Sequence, residues 1–188
     1  MATTLYFTPY NNKNRTMLAM KEIERILRVD HAGEKGAIHI YKAQLLIARI
    51  LYKDIVPTLE EMLSHEKDHF NTFDGLLRSR CIRHCYAINL WAIGGFVLGL
   101  FTACLGRNAI WVCTNSIEST VLHHLDWQLD FLARTDLEAY NAVLSIKADE
   151  ESHQQLGQAN GHNYFGYRIL FTMVCASTEF AIWLSTKL

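Results

Sequence analysis

Proline is scarce in this chain, with two in 188 residues, and long stretches contain none of the turn-forming clusters that strands require at short intervals. A sheet-rich fold is therefore excluded. Half of the residues are hydrophobic, which is enough to build one domain with a buried core. The composition predicts an all-α protein.

Excess charge is also absent, since the formal net charge is −1. Nucleic-acid-binding domains usually carry a marked basic excess, so we expect no nucleic-acid partner. Residues 1–14 lack the apolar segment of a secretory signal and the Arg- and Ser-rich composition of a transit peptide. We expect residues 1–20 to form a poorly ordered N-terminal extension and residues 21–188 to form a single domain.

No CxxC pair occurs among the cysteines, and their number is odd. A disulfide framework is therefore not expected, and we interpret the thiols as reduced and mostly packed in a reducing compartment. Cys81 and Cys85 are spaced four apart on a possible helix, but a zinc site would need two more ligands nearby. The five cysteines are Cys81, Cys85, Cys104, Cys113 and Cys175.

Apolar residues recur at spacings of three and four, which is the pattern of amphipathic helices. Pro57 interrupts the pattern, and Thr58 with Glu61 resembles a capping box, as does Thr135 with Glu138. The predicted long helices run over Lys21–Tyr52, from Thr58 to about Ser79, from about Ala109 to Ala133, and from Thr135 to about Gly157.

Two further segments, 87–105 and 168–184, are nearly free of charge. The first is long enough to cross a bilayer, but its three glycines and the break at Gly106 argue against a lone spanning helix. Three arrangements stay open: a helix lying in the membrane interface, which we favour, a buried hairpin of a soluble core, or a membrane span. In the favoured arrangement both segments make peripheral membrane contact.

A repeated spacing of glutamate and histidine is the most informative feature of the sequence. Glu34 is followed 32 residues later by an ExxH motif, Glu66 with His69, and Glu118 is followed 32 residues later by Glu150 with His153. Residues at equal distances from a turn lie at the same height in an antiparallel helix pair, and the two midpoints fall near residues 50 and 134. The spacing therefore predicts two helical hairpins that pack into a four-helix bundle, with all six side chains facing one pocket.

The chemistry of these residues suits a pair of metal ions. Four carboxylates carry a charge of −4, which two divalent cations would neutralise, and without metal they would be expensive to bury or would take up protons. Carboxylates with imidazole favour iron or manganese. One Glu from each of two helices and one Glu-x-x-His from each of the other two is the ligand set of ferritin-like di-iron bundles.

Residues 65–69, HEKDH, offer a competing interpretation, because HExxH on a helix is also the zinc-protease signature. That interpretation requires His65 as a ligand and a third ligand elsewhere. The second copy of the repeat has Asp149 at the position of His65, so His65 is not part of the repeated set. We interpret the HExxH match as coincidental and expect His65 at the surface or beside a ligand.

Several strings in the chain resemble the demethoxyubiquinone hydroxylases, the di-iron monooxygenases of ubiquinone biosynthesis. The resemblance runs from about Glu24 to the C-terminus, and DHAGE and AIWLS are its most specific parts. It is carried by RVDHAGE (28–34), EKDH (66–69), the stretch 92–115 leading into SIE (116–118), and AIWLS (181–185).

The resemblance implies a ferritin-like fold bound to one membrane leaflet, with two iron ions that use O2 to hydroxylate the ring of a polyprenyl substrate, demethoxyubiquinol. An external reductant such as NADH would supply electrons. By position, the resemblance assigns a place beside the metal pair to His124, while Leu125 and Lys35 stand where the family has tyrosine. The implied iron ligands are Glu34, Glu66, His69, Glu118, Glu150 and His153.

The implied location is the cytoplasmic side of the cell inner membrane, or the matrix side of the mitochondrial inner membrane in a eukaryote. Partner proteins of ubiquinone biosynthesis and a homo-oligomer both stay open. The alternative function is that of another ferritin-like di-iron protein, which reduces peroxide or binds and stores iron.

Overall fold

The structure, a computed structural model, describes residues 9–162 and 165–188, with side chains from residue 14 onward. Six α-helices and one short 3₁₀ helix make up this part of the chain, and no strand occurs in it, so the all-α prediction is confirmed. The helices are α1 (Pro9–Leu51), the 3₁₀ helix (Lys53–Ile55), α2 (Val56–Ser79), α3 (Ile88–Leu105), α4 (Arg107–Leu132), α5 (Leu137–Gly161) and α6 (Tyr167–Ser185).

Helix α1 begins earlier than the sequence predicts. It starts at Pro9 rather than at Lys21, so residues 9–20, which were predicted to belong to a poorly ordered extension, are helical. No proline interrupts the chain between Tyr10 and Leu51, and nothing therefore stops the helix from extending toward the N-terminus. Residues 1–8 of the extension lie outside the described residues, and a domain boundary at residue 20 stays a prediction.

Four of the helices form the bundle, as two antiparallel hairpins, α1 with α2 and α4 with α5. Their turns lie at residues 52–55 and 133–136, close to the predicted midpoints. Both predicted capping boxes are wrong. Helix α2 is preceded by Ile55 with no side-chain cap, and Pro57 occupies its first turn, because the helix starts before Thr58. Helix α5 is capped by Asp136, whose carboxylate accepts a hydrogen bond from the Ala139 amide at 3.0 Å.

The core of the bundle has two apolar layers, one on each side of the six predicted site residues. The layer toward the α4–α5 turn includes Leu27, Phe73, Leu132 and Val143, and all four are fully buried. The opposite layer includes Tyr41, Leu59, Met62 and Ile110. Each bundle helix therefore crosses from one apolar layer to the other, and its site residues lie between them.

Helices α3 and α6 lie outside the bundle, α3 mainly against α1 and α6 mainly against α4. The close approach of α3 depends on Gly95 and Gly99, because a Cβ atom on either residue would overlap the backbone of Gly36 or Ile40. Gly106, at a φ of 120°, then allows the sharp change of direction into α4.

The outer faces of both helices are apolar and exposed, which contradicts the buried-hairpin arrangement for residues 87–105. Only 22% of the α3 segment and 17% of the α6 segment are buried inside the protein, and both are long and apolar enough to cross a membrane. Such a surface is typical of contact with a membrane or another protein. The exposed residues include Leu90, Ile93, Val97 and Phe101 on α3 and Ile169, Met173, Phe180 and Trp183 on α6.

The thiols are free, and the prediction that most of them are packed holds for only some. Cys85 and Cys113 are buried and Cys175 is partly buried, but Cys81 and Cys104 are exposed. Cys81 and Cys85 do not share a helix, since α2 ends at Ser79 and both lie in the loop before α3.

Candidate metal centre

The six residues of the repeat are buried and face one another across the bundle. Glu34 comes from α1, Glu118 from α4, and one ExxH motif from each of α2 and α5. The midpoint of each hairpin places the upstream glutamate opposite the ExxH motif of its partner helix. The structure therefore brings together the six side chains that the spacing singles out. Their role as metal ligands stays a prediction.

Two overlapping groups of ligand atoms can be distinguished within this layer. Glu34 and His69 belong to one group, Glu118 and His153 to the other, and Glu66 and Glu150 belong to both. Within each group the ligand atoms lie within 4.8 Å of one another. This is the arrangement expected of two ions that share two carboxylates.

Several atoms of this layer form no hydrogen bond of good geometry among the described residues, although oppositely charged groups lie as close as 3.1 Å. These atoms include Glu66 Oε1, Glu150 Oε2 and the Nδ1 atoms of His69 and His153. Burying a polar atom without a partner costs ~1–3 kcal/mol, and more for a charged group. Metal ions bound between these atoms would satisfy all four, and the donor set therefore fits a pair of hard divalent cations.

The protonation of the layer reflects its burial. Desolvation raises the pKa of Glu34, Glu66 and Glu118, and the neighbouring carboxylate of Glu150 raises these pKa values further. Burial alone would lower the pKa of His69, but the carboxylates of Glu150 and Glu34 raise it to about 11. Without metal, protons therefore occupy part of this layer.

The pKa of His153 is lowered, chiefly by burial. His153 Nδ1 lies 3.3 Å from Glu66 Oε1, and His69 Nδ1 lies 3.1 Å from Glu150 Oε1. Both rings thus turn the same nitrogen toward the carboxylates, which leaves the two Nε2 atoms facing outward.

Three further residues contact the layer: Tyr41 and Asp149 were missed as functional candidates from the sequence, whereas His65 was expected at the surface or beside a ligand. Tyr41 donates its hydroxyl hydrogen to Glu118 Oε1 at 3.1 Å. Asp149 Oδ2 lies 3.1 Å from His69 Nε2, and His65 Nδ1 lies 3.1 Å from His153 Nε2. Asp149 and His65 each precede the glutamate of an ExxH motif, so their matched positions were the signal available in the sequence.

The position of His65 also bears on the zinc-protease interpretation. Its ring contacts His153 on another helix and does not belong to either group of ligand atoms that includes Glu66. A zinc site of the HExxH type would need His65 and His69 to share one ion. The geometry therefore favours the ExxH interpretation.

His124 forms no described hydrogen bond with the six residues of the layer, and its place beside the metal pair stays a prediction. Its described hydrogen bonds join it to Glu179 Oε2 at 3.0 Å and to Trp127 Nε1 at 3.3 Å, and both contacts lie at the surface. Leu125 is buried in the bundle, and Lys35 lies over the ring of Phe70. Neither residue supplies a hydroxyl group to the site.

A cavity of about 520 Å³ leads to the layer from the side covered by α3 and α6. All four glutamates of the repeat lie in its wall, together with His124. The rest of the wall is predominantly apolar, as is usual for small-molecule sites. Its apolar residues include Ile40, Trp91, Leu98, Phe101, Ile117, Leu170, Met173 and Val174.

Residues 21–185, which include all six members of the layer, match the sequence model of the family described as ubiquinone biosynthesis protein COQ7. The chain belongs to the COQ7 family. The match to this family covers both hairpins and the two outer helices, α3 and α6.

Curated COQ7 relatives align over most of the chain. The 3-demethoxyubiquinol 3-hydroxylase of Rhodospirillum rubrum is 36% identical over 166 residues, which cover 88% of this chain and 78% of the relative. The mitochondrial NADPH-dependent 3-demethoxyubiquinone 3-hydroxylase of Homo sapiens is 32% identical, with the same two coverages. The Dictyostelium discoideum protein of that name is 31% identical and covers 97% of this chain and 91% of the relative.

Proposed function

We propose that this protein is a membrane-associated di-iron monooxygenase that hydroxylates the ring of demethoxyubiquinol in ubiquinone biosynthesis. The observation that carries the proposal is a buried layer of four glutamates and two histidines at the inner end of an apolar cavity. The names of the family and of its relatives supply the substrate class.

Two ions would be held by the six residues of the layer, Glu34, Glu66, His69, Glu118, Glu150 and His153. Bound iron would supply the activation of O2. The protein residues would hold the ions, and apolar layers close the bundle on the two sides of them along its axis. Tyr41 orients Glu118 through its hydrogen bond.

The cavity supports a substrate with a small ring and a long apolar tail. The inner end presents carboxylates, whereas the outer wall is built from α3 and α6, whose exposed faces are apolar. The ring would lie near the metal pair, and the polyprenyl tail would leave between these helices into a bilayer. We propose that α3 and α6 make peripheral contact with an inner membrane, on the cytoplasmic or matrix side that the resemblance implies.

The balanced reaction inserts one oxygen atom of O2 into a ring C–H bond and reduces the other to water, which consumes two electrons and two protons. The described residues form no dinucleotide-binding fold, so the electrons come from an external reductant. The resemblance suggests NADH, while the human and Dictyostelium relatives are named NADPH-dependent. We propose a reduced nicotinamide dinucleotide as the electron source.

Hydroxylation is tested with the iron-loaded protein, phospholipid vesicles that contain a short-tailed demethoxyubiquinol, a nicotinamide reductant and ¹⁸O₂. The expected product carries one ¹⁸O atom on its ring, detected by mass spectrometry. NADH and NADPH are compared in parallel.

An iron-loaded protein that leaves the ring unchanged with both reductants would overturn the proposal. Rapid consumption of hydrogen peroxide, without ring hydroxylation, would favour a peroxide-reducing bundle instead. Accumulation of many irons per chain in a protein that stays in solution and does not sediment with vesicles would favour iron storage.

A further inference from the structure

The outward nitrogens of the two site histidines have different partners. His69 Nε2 lies 3.1 Å from a carboxylate oxygen of Asp149, and His153 Nε2 lies 3.1 Å from His65 Nδ1. Asp149 lies on α5 and reaches the histidine of α2, whereas His65 lies on α2 and reaches the histidine of α5. The two contacts are therefore equivalent in position but not in charge.

The contact of His65 with His153 has the geometry of an in-plane hydrogen bond. The two ring planes differ by only 9°, and the ring centroids are 5.3 Å apart. That separation is close to the nitrogen–nitrogen distance plus the radii of the two rings. The rings are therefore arranged side by side, with one nitrogen of each directed at the other, rather than face to face.

The direction of this hydrogen bond follows from the other side of His153. A ring nitrogen that binds a cation must present its lone pair, and Nδ1 of His153 faces the carboxylate layer. Nε2 must then carry the hydrogen and donate it to His65 Nδ1. His65 accepts as a neutral ring, whereas Asp149 accepts as a carboxylate, and an anionic acceptor makes the donating imidazole a stronger ligand.

We propose that His65 is a positioning residue that fixes the ring orientation and tautomer of His153, and that its pairing opposite Asp149 makes the two metal positions unequal. The position that contains His69 has the more basic imidazole and binds its ion more tightly. This inference rests on the metal pair proposed above.

The test uses ⁵⁷Fe(II) bound to the full chain without O2, with metal titration and Mössbauer spectroscopy as readouts. The unaltered protein should bind two irons with different affinities and show two distinct quadrupole doublets. His65→Leu removes the hydrogen-bond acceptor and should lower the binding affinity of one of the two irons by about 10- to 100-fold. His65→Asp gives both site histidines a carboxylate acceptor and should make the two quadrupole doublets more alike.

His65→Gln keeps an acceptor oxygen and should retain both irons, so it tests the role of the hydrogen bond should the leucine variant fail to fold. His162→Leu is the matched control, because His162 is exposed at the end of α5 and bonds only to its own helix among the described residues. Two bound irons with spectra unmoved in every His65 variant would overturn this inference alone. An unaltered protein that binds no iron pair would overturn the proposed function as well.

Discussion

The two hairpins of the bundle carry the same set of site residues but surround it differently. Tyr41 in the first hairpin donates a hydrogen bond to Glu118, whereas the matching position in the second hairpin is Leu125, which has no donor to offer Glu34. His65 and Asp149 form a second mismatched pair. The residues proposed as ligands repeat because two like ions need like donors. Their surroundings differ, because Tyr41, His65 and Asp149 have no equivalents of the same chemistry in the other hairpin.

The helices that cover the two hairpins also differ. Helix α3 approaches the first hairpin so closely that Gly95 and Gly99 meet the backbone of α1. Helix α6 contains no glycine and meets the second hairpin through side chains such as Leu170 and Val174. The first contact therefore tolerates far less added volume than the second.

The largest effect is expected from changing one of the proposed metal ligands, which both hairpins contain. Glu118→Gln removes a proposed ligand of one ion, and we expect bound iron to fall from two per chain to one or fewer. Hydroxylation should fall by more than about 100-fold, since even residues that only contact a ligand affect metal affinity by up to that factor. Iron analysis and the ¹⁸O assay measure the two effects.

The matched control for this change is Glu151→Gln, which alters an exposed glutamate next to Glu150. It should keep both irons and the activity. Two irons retained in the Glu118 variant would contradict the proposed site.

A large effect is also expected from pH in the metal-free protein. Glu66 and Glu118 have raised pKa values, and the pKa of His69 is about 11, so the folded state keeps protons that the unfolded chain releases. Stability should therefore fall as pH rises from 6.5 to 8, by roughly 2 kcal/mol for the His69 proton, and the raised pKa values of the two glutamates act in the same direction. Urea unfolding in the presence of a chelator measures this.

The opposite trend from His31 and His153, whose pKa values are lowered, is confined to pH values below 6.5. Burial raises the pKa of Asp30 to about 8, and this carboxyl therefore adds to the fall in stability between pH 6.5 and 8. Manganese-bound protein should lack most of this pH dependence, because the metal replaces the protons. Stability that is constant or rises over this interval would show that the layer is not protonated.

A moderate effect is expected where α3 meets the first hairpin. Gly99→Ala places a methyl group against the backbone of Ile40 and should destabilise the protein by ~1–3 kcal/mol. Gly94→Ala is the control on the same helix, because open space surrounds the position of its added Cβ, and it should be neutral or slightly stabilising. Equal effects of the two variants in urea unfolding would show that α3 does not approach α1 closely.

The smallest effect is expected from Tyr41, whose matching position in the second hairpin is not a tyrosine. Tyr41→Phe removes the hydrogen bond to Glu118 and should lower the stability of the metal-free protein by ~1 kcal/mol. Tyr140→Phe is the comparison, since Tyr140 is only partly buried against the core and its hydroxyl forms no described hydrogen bond. A loss for Tyr140 as large as that for Tyr41 would argue against a specific role of this bond.

Sequence spacing predicted the features that repeat along the chain. Two ExxH motifs, each 32 residues after another glutamate, were sufficient to predict two hairpins, their turns near residues 50 and 134, and the convergence of six side chains. Apolar residues at spacings of three and four predicted the helices themselves. These inferences worked because helix geometry turns a sequence interval directly into a position on one face.

Helix starts were predicted less well, because they depend on competition between neighbouring residues. Thr58 and Thr135 both stand at suitable capping positions, yet α2 begins earlier, at Val56, and Asp136 caps α5 instead. The early start of α1 at Pro9 was missed for a different reason. A polar segment without a helix breaker carries no strong signal for a helix or for an irregular segment.

The sequence by itself determined the helical class, the two hairpins and the six residues that meet in the layer, because local periodicity encodes them. Only the tertiary structure decided that His65 and Asp149 reach across to the opposite histidines, that Tyr41 bonds to Glu118, and that a cavity opens between α3 and α6. Those contacts join helices distant in the chain, and their existence depends on how closely the helices pack rather than on any interval in the sequence.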